Sequence, residues 1–148
     1  MKRLHHLLAV ALIIAGCASG NSSNGGPPVE LDLAQIGGGA QDTFYFRGPV
    51  NVQYRLAINN PTNEPLTLRR ISLQTIGSGA YVLNTGVSPI QATVPPNASV
   101  QIPLSAWGRA RGGFMTSTEP VTVRALAYFD SPHGSFVKQA TKLLSQFQ

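Results

Sequence analysis

From Val50 to Ile58 the chain alternates without a break: Val50, Val52, Tyr54, Leu56 and Ile58 share one parity, with Asn51, Gln53 and Arg55 between them. Side chains of a β-strand point to opposite faces in turn, so a period of two fits a half-buried strand and not a helix. The turn formers of Asn59-Asn60-Pro61-Thr62-Asn63-Glu64-Pro65 then close that strand. Leu66 and Leu68 resume the alternation, but Ile71 and Leu73 lie on the opposite parity. A strand that keeps its apolar face inward across that change needs one extra residue, which predicts a β-bulge near Arg69-Arg70.

The same grammar runs through the rest of the chain. Val29-Leu31-Leu33 and Phe44-Phe46 supply opening strands, and Ala80 to Leu83 is a short apolar segment after the Gly77-to-Gly79 turn. Ile90 to Val94 leads to the turn Pro95-Pro96-Asn97, followed by the alternating face Val100, Ile102, Leu104 and Ala106. Pro103 inside that run marks an edge position or a bulge, because proline donates nothing to a ladder. Gly108 to Gly113 reads as an open loop. Val121 to Phe129 alternates against the partly apolar set Thr122, Arg124, Leu126 and Tyr128, as expected of a central strand covered on both faces. Asp130 to Gly134 forms a turn, and Ser135 to Phe147 is a last strand or short helix. The expectation is an all-β fold: a single antiparallel, immunoglobulin-like β-sandwich of seven or eight strands spanning residues 29–148, with a small barrel as the alternative.

The N-terminus carries a different message. Lys2 and Arg3 precede the apolar run Leu7 to Ile14, and Ala15-Gly16 lead into Cys17, the one cysteine of the 148 residues. A basic start, a short apolar stretch and a small-residue end form a secretory signal, and the stretch is shorter than the ~20 residues a membrane span needs. Ile14-Ala15-Gly16-Cys17 resembles a bacterial lipobox. That resemblance implies a signal peptide over 1–16, cleavage before Cys17, and lipid on its thiol and amine. Ala18, in place of aspartate, favours the outer membrane by the same resemblance. Residues 17–28 are the lipidated cysteine and a tether, whose stretch from Ala18 to Pro28, rich in Gly, Ser and Asn and ending in Pro27-Pro28, has an r.m.s. span of about 17–20 Å.

Loss of Lys2 and Arg3 with the signal takes the formal charge from +5 to +3. That balance suits contact with anionic lipid or glycan without pointing to nucleic acid. His133 is the one histidine beyond the signal, and it sits in a turn as a solvated residue. Asp32, Asp42, Glu64, Glu119 and Asp130 are scattered, and no metal spacing, phosphate loop or nucleophile elbow is present. The expectation is a non-enzyme with no metal and no cofactor. The candidate contact segment is Trp107-Gly108-Arg109-Ala110-Arg111-Gly112-Gly113-Phe114-Met115, since tryptophan and arginine are frequent interface anchors. The alternative, which the residue types favour, has Trp107 plugging the end of the core while Arg109 and Arg111 are solvated.

Tyr54 to Leu68, an alternating strand ending in Asn-Pro with a Pro-Leu pair opening the next, is similar to the late-embryogenesis-abundant type 2 domain (the water-stress and hypersensitive-response domain). Pro95-Pro96-Asn97 before Val100 to Leu104 matches a later turn of that family, and the resemblance covers residues 50–104. It implies a sandwich without catalytic residues and a role in stress protection or as a scaffold. The functional expectation is therefore a membrane-anchored envelope lipoprotein, a non-catalytic binding or assembly module with an envelope protein partner. Its end loops offer contacts and its edge strands can accept a strand from a partner. A general stress-protection domain is the alternative, and a hydrolase with a hidden site the remote one.

Overall fold

The computed structural model describes residues 26–38, 48–84, 86–112 and 119–145. Eight strands run through them: β1 (Glu30–Gly38), β2 (Pro49–Asn60), β3 (Leu66–Ile76), β4 (Tyr81–Leu83), β5 (Gly86–Val94), β6 (Ala98–Ala110), β7 (Val121–Ser131) and β8 (Gly134–Leu144). They form two four-stranded antiparallel sheets, ordered β1-β2-β6-β4 and β5-β3-β7-β8. The fold is an all-β sandwich, as the alternation predicts. Within it, the β1-β2-β6 and β3-β7-β8 orders match the ABE and CFG orders of an immunoglobulin sandwich.

The core lies where the alternation puts it. Val52, Tyr54, Leu56 and Ile58 of β2 face Leu66, Leu68 and Ile71 of β3 and Val121, Val123, Ala125, Ala127 and Phe129 of β7, all of them buried. Each of the Val, Leu, Ile and Phe side chains among them contributes about 1.5–3 kcal/mol over its exposed state. The bulge expected near Arg69-Arg70 is present: Leu68 opposes Phe129 while Arg70 opposes Tyr128, so Arg69 is the extra residue of β3. It carries the apolar face from Leu66 and Leu68 over to Ile71 and Leu73. β7 is central, between β3 and β8, with an outer face of half-buried residues.

One expectation needs correction. Gly108 to Ala110 is not open loop but the end of β6, held by β4 on one side and β2 on the other. Of the strand or short helix expected at the C-terminal end, the described residues form the strand, β8. Phe44 and Phe46 lie outside the described residues.

The Asn-Pro turn after β2 is a tied corner. The Asn60 side chain, fully buried, donates to the carbonyls of Glu64 (2.8 Å), Pro95 (3.0 Å) and Val94 (3.3 Å), while its oxygen accepts from Thr62. The Asn97 amide donates to the Thr62 carbonyl at 3.0 Å, with Asn97 in the left-handed region at φ 51°. Asn60 thus fastens the β2–β3 turn to the β5–β6 turn, satisfying the buried Val94 carbonyl and the part-buried carbonyls of Glu64 and Pro95.

Candidate interaction surface

The residues singled out in the sequence separate in space. Trp107 and Arg109 lie on the outward face of β6, with Val82 of β4 paired to Arg109 on the same face. Trp107 is 60% exposed and plugs nothing, so the core-plug alternative does not hold. The reason is parity: along β6 the even residues Leu104, Gly108 and Ala110 turn inward and the odd ones outward. Arg111 turns away from this pair. Its amide donates to the Ala80 carbonyl (3.0 Å) and its guanidinium to the Gly77 carbonyl (3.3 Å), bracing the turn before β4. Phe114 and Cys17 lie outside the described residues.

Beside Trp107 the sandwich opens. A cleft of about 220 Å³ runs between the sheets, with Ile71, Leu73, Leu104 and Ala106 as its apolar floor and Trp107 and Asn84 at its rim. It exists because β4 is only three residues long and the chain then changes sheets. The Asn84 amide donates to the Trp107 carbonyl at 2.9 Å, after which β5 begins at Gly86 in the opposite sheet. Gly108 permits the close approach of β4: a Cβ there would sit 2.5 Å from the Val82 carbonyl oxygen.

The titratable groups are spread over the surface in pairs. His133 Nε2 lies 3.0 Å from a Glu64 carboxylate oxygen, both exposed in turns at one end of the sandwich. Arg69 and Ser135 donate to the Asp130 carboxylate and hold it below the ordinary value, the Ser135 bond weighing most. Lys142 bridges to Asp32 at 2.7 Å, linking β8 to β1 across the sheets. Arg70 stacks over the Tyr128 ring at 3.9 Å. No three His, Cys, Asp or Glu residues among those described come together as a metal site. Inside the core, Tyr54 and Tyr81 share a hydrogen bond of 2.7 Å, and the Tyr81 hydroxyl donates to Gln35 at 2.8 Å. Burial above all, with Tyr81 beside it, pushes the Tyr54 phenol far above its usual value and keeps it protonated.

The fold is similar to that of Northeast Structural Genomics Consortium target SoR45, at 16% identity and TM-score 0.49, over 80% of this chain and 86% of that one. A protein from Archaeoglobus fulgidus aligns at 10% identity and TM-score 0.41, over 77% and 94%. No family model and no curated protein matches the chain.

Sequence reasoning found Trp107 and Arg109 but missed the open side of the sandwich next to them. Its signal was available: Pro103 inside an alternating strand, in a stretch from Ala98 to Trp107 without a single charge.

Proposed function

We propose that this chain is a lipid-anchored module of the bacterial cell envelope, held in the outer membrane through Cys17, that binds a protein partner and catalyses nothing. The anchor reading rests on the signal and lipobox pattern of residues 1–17. The observation that carries the binding reading is the exposure of Trp107. A large aromatic that could have been buried stands instead on a regular strand, beside Arg109 and Val82 and above an apolar cleft. Aromatic and arginine side chains together on a rigid surface are the composition of interaction hot spots. The turn chemistry shared with the late-embryogenesis-abundant type 2 domain is compatible with such a scaffold.

The test has two arms. Palmitate labelling of the chain in its host should be abolished by Cys17→Ala; undiminished labelling would remove the anchor. Crosslinking of the lipidated protein in the envelope should recover one dominant partner, lost when Trp107 and Arg109 are both changed to Ala. Recovery of abundant bystanders alone, with the sandwich folded, would favour the stress-protection role instead.

A further inference from the structure

The two lateral sides of the sandwich are built differently. On the β1–β8 side the edges are guarded. Lys138 and Lys142 stand on the inward parity of β8, and Lys142 reaches out to Asp32 of β1. Inward-pointing charges on an edge strand oppose the addition of a further strand. β5 is guarded in another way, by Pro89 and by an extra residue relative to β3 between Ala92 and Pro89. The free side of β6 has neither charge nor bulge. Its ladder with β2 runs through twelve consecutive pairs, Pro49↔Arg109 to Asn60↔Ala98, without a register shift, whereas β4 covers its other side only from Gly108 to Ala110.

Which backbone groups face that free side follows from three hydrogen bonds. The Trp107 carbonyl accepts from Asn84 and the Arg111 amide donates to Ala80, both on the β4 side; the Ala110 amide donates to Gly48, on the β2 side. Both backbone groups of a strand residue point the same way, and the direction alternates along the chain. Ser99, Gln101, Pro103 and Ser105 therefore present their backbone groups to the open side, and none of them has a strand partner there among the described residues. Pro103 falls on this side, which explains how β6 holds a proline without losing a bond to β2. The inward side chains next to the free edge, Val100, Ile102 and Ala106, are only partly buried.

We infer that the unpaired edge of β6 from Ser99 to Ser105 is a docking site for an extended segment of a partner protein, which adds to the sheet in line with β4 and seats apolar side chains in the cleft over Leu104 and Ile71. The occupant alternates apolar and acidic residues. Its inward side meets an apolar floor, and its outward side joins a face on which the charged residues of β2 and β6 are both basic, Arg55 across β6, opposite Pro103, and Arg109 beside β4. A second copy of this chain is the poorer occupant. Antiparallel pairing of one β6 edge with another brings both Pro103 residues into the shared ladder, so two donors are missing instead of one. This inference rests on the binding reading above and names the surface and the mode.

The probe is a synthetic octapeptide alternating valine and glutamate, added to the full-length chain. Two readouts sit at the edge itself: the fluorescence of Trp107, the one tryptophan, and the exchange rates of the Ser99, Gln101 and Ser105 amides. Binding should shift the fluorescence and slow exchange of those three amides at least tenfold. A peptide N-methylated at every second residue, on its hydrogen-bonding edge, should bind at least tenfold more weakly. Gln101→Pro removes a donor on the open side and leaves the β2 ladder whole, so it should weaken the peptide tenfold without lowering Tm. Unchanged amide exchange would overturn the strand-addition mode, as would equal binding of the methylated peptide. If the envelope partner is nevertheless lost on changing Trp107 and Arg109, the binding reading stands and the partner docks on the face. A dimer forming without peptide and protecting the same amides would replace the partner by a second copy.

Discussion

Removing either hydroxyl of the buried Tyr54–Tyr81 pair should destabilise the fold, but by unequal amounts. The two phenols are 0% and 1% exposed, and the hydrogen bonds run in one direction, from Tyr54 to Tyr81 and from Tyr81 to Gln35. Tyr54→Phe deletes one donor and one bond, worth about 1 kcal/mol. Tyr81→Phe deletes the acceptor of a hydroxyl that has no access to water and also the donor to Gln35, a loss of about 2–3 kcal/mol. The double variant should lie close to Tyr81→Phe alone, since the shared bond is lost only once. Urea unfolding followed by circular dichroism measures all four corners of the cycle. The pair also has a pH signature. The folded-state value for Tyr54 is raised, so its contribution is whole below the ordinary phenol value near 10 and is lost as pH rises beyond it. Above about pH 10 the wild type should lose up to about 1.4 kcal/mol per pH unit more than Tyr54→Phe does. Equal losses in the two single variants, strict additivity, or parallel alkaline slopes would refute the directed-chain account.

Asn60→Ala should cost about 2–3 kcal/mol, because three carbonyls, one buried and two part-buried, lose one donor group; urea midpoints measure it, and a loss below 0.5 kcal/mol (on the order of a surface change) would contradict the tied corner. Gly108→Ala forces a Cβ against the Val82 carbonyl, so amide exchange should show β4 released while the β2–β6 ladder persists. For Asp130, whose value is depressed, stability is present above the ordinary carboxylate range and lost as pH falls through the folded value. A carboxyl titration followed by NMR should accordingly move upward in Ser135→Ala, and further when Arg69→Ala is added. Lys138→Met should raise the urea midpoint, since the lysine is 7% exposed on the core side of β8 opposite Ala127, and it should also increase self-association by unguarding that edge; a midpoint that falls would show that the charge is held favourably.

Alternation made the burial legible. Val52 to Ile58, Leu66 to Leu73 and Val121 to Phe129 were assignable because side-chain period follows from strand geometry alone, and the Arg69 bulge followed from a change of parity. What alternation does not encode is lateral order, since every strand with one buried face has the same pattern whether its neighbours number one or two. Gly108 to Ala110 was misread for a related reason: glycine spacing mimics a loop where it in fact lets β4 approach. The plug alternative for Trp107 rests on residue type alone, although its odd number already puts it on the outward parity of Ser99, Gln101 and Ser105. Edge character has its own sequence trace, and it is negative. Strands that must not pair further carry charge, as Lys138 and Lys142 do, so a proline-bearing alternating strand with no charge from Ala98 to Trp107 is either central throughout or left open for a partner. Among the described residues β4 covers only Gly108 to Ala110 of that side, and it is along the rest, from Ser99 to Ser105, that strand addition by a partner is proposed.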